Sequence, residues 1–306
     1  MANSNWSVSP NYNVGPLKNI EASTQREKWL HDGNKWDNIV TGGRQIPGNV
    51  KYLVVDLETH DWTNIGCGLL ASGCIVEIAW KLFDDKGACL ESKQYLIKPY
   101  GSYKKIDPKA TSFHGTTNEH VSKYGIEVDL VLGEFIDIVK NIPADGFVIA
   151  HNMDHEHTVL TNSLSPDQRF VWNEAPKSDT HSTELLLDYL PREAKIEFEK
   201  RLGVVPLVGF RLQQLHECIH QGCARIYDYV HFAGTDVDMT WDIFRFYQNV
   251  ATVEELTYQT PVFIAGVGMN FDKNHIFLSR SAQRVINLKR AGIWNECNEM
   301  CVDRIE

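Results

Sequence analysis

Acidic residues at close spacing recur at three separated points of this chain, and carboxylates are the ligands that hard divalent cations take. The first group is Asp56 and Glu58, two apart in Val54-Val55-Asp56-Leu57-Glu58-Thr59. The second is Asp154 and Glu156 in His151-Asn152-Met153-Asp154-His155-Glu156, with Leu160 four residues beyond. The third is Asp236, five residues after His231. Gathered around divalent cations, with an imidazole nearby to take a proton, such carboxylates are equipped to cleave a phosphodiester with water. That chemistry requires a fold that unites positions far apart in the chain.

The local sequence puts each group at the end of an element. Lys51 to Leu57 is an apolar, β-branched run, which predicts a buried strand. Residues two apart on a strand share a face, so Asp56 and Glu58 point the same way. Two buried like charges need a neutraliser, and a bound cation is one; a surface pair at a strand end is the plainer alternative. Gly146 to Ala150 is a second short buried-strand pattern, running into a helix that carries Asp154 and Glu156. Acids there also suit the helix dipole, so capping is the plainer reading. Thr235 to Phe246 is amphipathic, with Val237, Met239, Trp241, Ile243 and Phe244 on its apolar side. His231 ahead of it is either structural or, beside a metal centre, a candidate general base, because an imidazole titrates near neutral pH.

The elements that must position these residues follow from periodicity. Strands are expected over 51–57, 74–84 and 88–97, then a loop carrying Pro99, Tyr100, Gly101 and Pro108. A helix over 127–141 has Val128, Val131, Leu132, Phe135, Ile136 and Val139 on one stripe. A strand at 146–150, a helix from about 154 and a weak last strand at Asp179-Thr180 come next. Helices over 182–189, 211–220 and 235–247 complete the pattern.

The spacing of these motifs resembles the DnaQ-like, or DEDDh, 3′–5′ exonucleases of the ribonuclease H-like superfamily. Asp56-Leu57-Glu58-Thr59 is similar to the family's first motif, and His231 with Asp236 to its third. Phe113-His114-Gly115-Thr116-Thr117 resembles a His-Gly-Ile-Thr loop of proofreading members, and Glu77 sits as in the family's second strands. The resemblance covers about residues 50 to 250. The second motif departs from the family pattern His-Asn-x-x-Phe-Asp: His155 fills the phenylalanine slot and Glu156 the aspartate slot, with Asp154 as the reserve acid.

The resemblance implies an α/β fold, a mixed five-stranded sheet flanked by helices on both faces. It implies two divalent cations, Mg2+ or Mn2+, about 4 Å apart. Asp56 would bridge them, Glu58 and Asp236 would hold the first, and Glu156 the second. His231 would take a proton from the attacking water. Thr59, Trp62, His114 and Asn152 are the expected substrate contacts, Trp62 either stacking on a base or covering the core as a loop aromatic, and His114 either at a phosphate or closing its own loop. The implied activity is hydrolysis at the 3′ end of single-stranded DNA or RNA, releasing nucleoside 5′-monophosphates. The alternative is a catalytically weakened binding or interaction module, for which the Glu156 substitution speaks.

Composition narrows the partners. A net charge of −10 is unusual for a protein that grips long nucleic acid through many phosphates. It favours a short grip on a 3′ end or a short oligonucleotide. Seven cysteines without paired spacing, no secretory leader and no membrane-spanning run give the expectation of an intracellular, cytoplasmic protein without a membrane partner. Residues 1–48 read as a polar N-terminal extension with a short helix over 25–36, residues 49–250 as the exonuclease domain, and 251–306 as a C-terminal extension. That last segment has a strand-like stretch at 261–267 and a basic helix over 277–293. Both extensions are read as either packing on the main domain or meeting a protein partner. Two zinc readings, His151 with His155 and His157, and Cys297 with Cys301, lack respectively the His-Glu-x-x-His order and a second ligand pair.

Overall fold

The computed structural model describes residues 24, 26–27, 46–61, 74–101, 103–182, 185, 189, 212–219 and 231–258. Its centre is a five-stranded sheet of β1 (Tyr52–Thr59), β2 (Ile75–Phe83), β3 (Cys89–Leu96), β4 (Phe147–Ala150) and β5 (Lys177–Asp179). The strand order is β3-β2-β1-β4-β5. β1, β2 and β3 pair antiparallel as a meander, whereas β4 and β5 run parallel to β1. This is the mixed five-stranded sheet that the sequence led us to expect.

Alternation along β1 decides what each face of the sheet holds. Leu53, Val55 and Leu57 face one side with Leu82, Trp80 and Ile78, their cross-strand partners on β2. Helices α3 (Val128–Val139), α4 (Met153–Ser163) and α5 (Pro166–Glu174) supply Val131, Leu132, Phe135, Met153, Leu160 and Trp172 to the same cluster. Tyr52 and Val54 face the other side with Ala79, Phe83, Phe147 and Ile149. There they meet α6 (Leu212–Ile219) and α7 (Ala233–Gln248), which contribute Leu215, Val237, Trp241, Ile243 and Phe244. Trp241 stacks on Phe83 at 3.9 Å, and Lys81 of β2 bridges to Asp238 of α7 at 2.5 Å.

Two short helices occupy the stretch read as loop from Pro108 onward. α1 (Pro108–His114) starts with Asp107 accepting from the Lys109 N–H and Pro108 at its first position, which is a helix start rather than a break. It ends at Gly115, whose φ of 69° is the left-handed C-cap that glycine adopts without steric cost. α2 (Asn118–Tyr124) follows, with Thr117 and His120 capping each other's backbone N–H. The helix expected from residue 154 is in fact two, because Ser165-Pro166 with Gln168 forms a new capping box between α4 and α5. The short helix α8 (Val253–Leu256) leads to Tyr258, whose N–H bonds the Lys177 carbonyl. Among the described residues no helix is long and apolar enough to cross a membrane. The stretches 261–267 and 277–293, most of 25–36, and Cys297 and Cys301 lie outside the described residues.

Candidate active site

Glu58 and Asp56 continue the β1 face that carries Tyr52 and Val54, so they point toward α7. Asp236 stands in the first turn of α7, where a negative charge is favoured by the helix dipole. The result is a group of three carboxylates, Asp56, Glu58 and Asp236, each with an oxygen within 4.8 Å of the others. Asp56 and Asp236 are buried and Glu58 is half-buried. β1 and β4 run parallel in adjacent positions, so their carboxyl ends share one margin of the sheet. Beyond that margin α4 begins, and its first turn brings Glu156 in, 3% exposed.

The electrostatics are those of carboxylates crowded together in a buried setting. Burial, then the charges of Asp236, Glu58, Glu156 and Glu77, pushes the Asp56 carboxyl well above its ordinary range. Glu58 is raised by burial and by Asp236 and Glu77, with Arg26 pulling the other way. Burial raises Glu156 as well, against its own backbone N–H and with Asp179 and Asp154 adding repulsion. Asp236 is raised to about 8, chiefly by burial and then by Glu77, while the His231 N–H and Arg26 lower it. Asp236 Oδ1 and Glu156 Oε2 are buried without a hydrogen-bond partner. Buried orphan carboxylate oxygens in an all-oxygen donor set fit a hard divalent cation such as Mg2+ or Mn2+.

The other candidate residues have distinct settings. His231 is half-buried with φ 59°, its ring edge-on to Phe113 at 6.1 Å. His114 is 2% exposed. Its Nδ1 accepts from the Thr116 N–H at 3.0 Å, which leaves Nε2 as the donor to the Thr59 carbonyl at 3.3 Å. Burial and the neighbouring Arg26 lower its pKa to about 3, so it is a neutral brace that fixes Thr59 and closes the loop. Asn152 adopts φ 76° and gives its N–H to Asp179 Oδ1 at 2.9 Å. Asp154 is tied to the Tyr258 hydroxyl. Trp62 lies outside the described residues. His151 bonds Thr180 and His157 stacks on Trp172, so these two of the proposed zinc histidines are separately engaged.

Two residues absent from the candidate set stand beside the carboxylates. Glu77 is the cross-strand partner of Glu58 and is fully buried. A charge inside the apolar run Ile75–Ala79 was its signal. Arg26, also fully buried, forks onto Glu77 with bonds of 2.8 and 2.7 Å. Nothing local in the sequence pointed to Arg26, whose partners are on distant segments.

No protein-family model matches the sequence, and no curated protein matches it by sequence. Solved structures do match in fold. Escherichia coli Exonuclease I in complex with a dA16 oligonucleotide is similar over 65% of this chain and 41% of that chain, at 18% identity and a TM-score of 0.50. A structure of exonuclease I described as suggesting how processivity is achieved gives 0.51 at 17% identity over the same shares, 65% and 41%. An ExoI/SSB-Ct complex gives 0.50 at 17% identity. The chain therefore spans less than half the length of these neighbours, and shares with them the ribonuclease H-like fold.

Proposed function

We propose that this protein is a metal-dependent 3′–5′ exonuclease that removes nucleoside 5′-monophosphates from the 3′ end of single-stranded DNA or RNA. The observation that carries the reading is the group of Asp56, Glu58 and Asp236, with oxygens within 4.8 Å of one another. The fold neighbour in complex with a dA16 oligonucleotide supports the substrate class. Residues 49–250 form the exonuclease unit in this reading, with 1–48 and 251–306 as extensions available to a partner.

Asp56, Glu58, Asp236 and Glu156 would hold the two cations, which when bound supply charge stabilisation for the attacking and leaving oxygens of the phosphodiester. His231 takes the proton of the attacking water as its oxygen bonds to phosphorus. The phosphorus–O3′ bond breaks, and the departing oxygen takes a proton from solvent to become the new 3′ hydroxyl. Thr59, held by His114 through its carbonyl, and Asn152 line the approach of the terminal nucleotide, with Trp62 as the stacking residue.

The test is mononucleotide release from a 3′-ended single strand in Mn2+. Wild type should release 5′-monophosphates, and Asp56→Ala should lower the rate by at least about 10³-fold. Release that survives the substitution overturns the site. A second reading, a weakened module, is favoured by Glu156 lying outside the group of three. It predicts strand binding without release, and turnover appearing in Glu156→Asp.

A further inference from the structure

Among the described residues, a fully buried guanidinium beside the site, that of Arg26, has no part in the mechanism above. Arg26 comes from the segment that precedes the sheet, and it is 0% exposed. Its guanidinium donates to Glu77 and to the His114 carbonyl. Nη1 and Nη2 fork onto the two Glu77 oxygens at 2.8 and 2.7 Å, and Nε and Nη2 reach the His114 carbonyl at 3.3 and 2.8 Å. That carbonyl is among the last of α1, an acceptor that the helix itself cannot satisfy. The face of the guanidinium lies 3.7 Å from the centre of the Phe232 ring. Phe232 follows His231 directly and is the N-cap of α7, the helix that carries Asp236. The next residue, Glu27, accepts from His120 Nε2 of α2 at 2.8 Å, so the segment is docked at two adjacent points.

Glu77 explains why a cation is needed there. It sits directly opposite Glu58 on the neighbouring strand, and like charges so placed repel. Gln94 Nε2 also donates to Glu77, which leaves this carboxylate committed to protein partners. Arg26 offsets part of the Glu77 charge felt at the three carboxylates, whereas an Arg26 without Glu77 would add a positive charge in a poorly screened interior.

We infer that Arg26 is a positioning residue of the metal site: through its fork onto Glu77 it offsets the charge that this carboxylate would otherwise place beside Asp56, Glu58 and Asp236. The inference rests on the metal-site reading above. It makes Arg26 part of the site's wall, and it sets the site's affinity for cations through a charge balance between two residues that touch no cation.

The test is Mn2+ binding to the full chain at fixed pH, read by electron paramagnetic resonance or calorimetry without any nucleic acid. Glu77→Gln leaves Arg26 uncompensated and should weaken Mn2+ binding by about tenfold or more. Arg26→Met should bind no more weakly than wild type. The double variant Arg26→Met/Glu77→Gln should return to within about threefold of wild type. An Arg26 that only glues the fold predicts that both single variants weaken binding and that the double does not recover; that result overturns the inference. Should Arg26→Met fail to fold, the comparison of Glu77→Gln with the double variant still decides. Mn2+ binding that is lost in Asp236→Ala but indifferent to Glu77→Gln defeats this inference alone. A wild type that binds no Mn2+ defeats the metal-site reading together with it.

Discussion

The two faces of one sheet are built to opposite standards. Leu53, Val55 and Leu57 meet Trp80, Phe135 and Trp172 on one side, and these named contacts are apolar. The other side begins the same way, with Tyr52 and Val54 under α7, but the next two positions of that face are Asp56 and Glu58. One strand thus supplies both the packed core and the acidic margin, by alternation. The lesson is that the site is not a loop laid over a finished domain. It is the part of the second core where packing gives way to charge, and it draws its rigidity from the first.

Breaking the apolar face should cost stability and leave the chemistry of the remaining folded protein alone. Trp80→Ala should destabilise by about 3–5 kcal/mol in urea unfolding, because Trp80 is fully buried against Tyr95 and Phe135. Its folded fraction should keep wild-type Mn2+ affinity; a large change there would mean that the two faces are not separable.

The acidic face should respond to pH in the opposite sense to ordinary salt-bridged carboxylates. Asp236 rises from 3.8 to about 8 on folding, so the native state keeps a proton that the unfolded chain gives up. The stability this proton contributes is complete below the unfolded value and is lost as pH climbs through the folded one. Metal-free protein should therefore melt at progressively lower temperature between about pH 4 and 8. Mn2+ should abolish that decline and release protons on binding. A flat metal-free profile would show that the carboxylates are compensated by other means.

A smaller effect separates the site's stability from its function. Asp236→Asn should stabilise the metal-free protein at pH 8 by about 1–2 kcal/mol, since it removes a buried charge of the cluster, while erasing the melting shift that Mn2+ produces. Smallest of all, Thr117→Ala should cost about 1 kcal/mol by removing the cap of α2, with Mn2+ affinity untouched.

What the sequence disclosed follows the range of the forces involved. β1 and α7 were legible because their apolar periods are local, and the observed spans Tyr52–Thr59 and Ala233–Gln248 lie within two residues of the expected ones. The end of the sheet was legible only as a weak strand at Asp179-Thr180, observed as Lys177–Asp179, since three residues give little period to read. α1 was hidden by treating Pro108 as a breaker, although Asp107 before it is the cap that turns such a proline into a first helical residue. The carboxylates could be named from spacing and resemblance, and the structure brings three of them into one group. Arg26 could not be named, because an ion pair across 51 residues leaves no trace in local pattern.

His231 and Asn152 both hold side chains at positive φ, 59° and 76°, a shape for which glycine has no steric penalty. Each stands shortly before a helix that delivers an acid, Asp236 in one case and Glu156 in the other. Bends of this kind endure only where surrounding contacts dictate them. The placement of these acids is thus a property of the completed tertiary structure, and a peptide excised around either bend would relax and forget it.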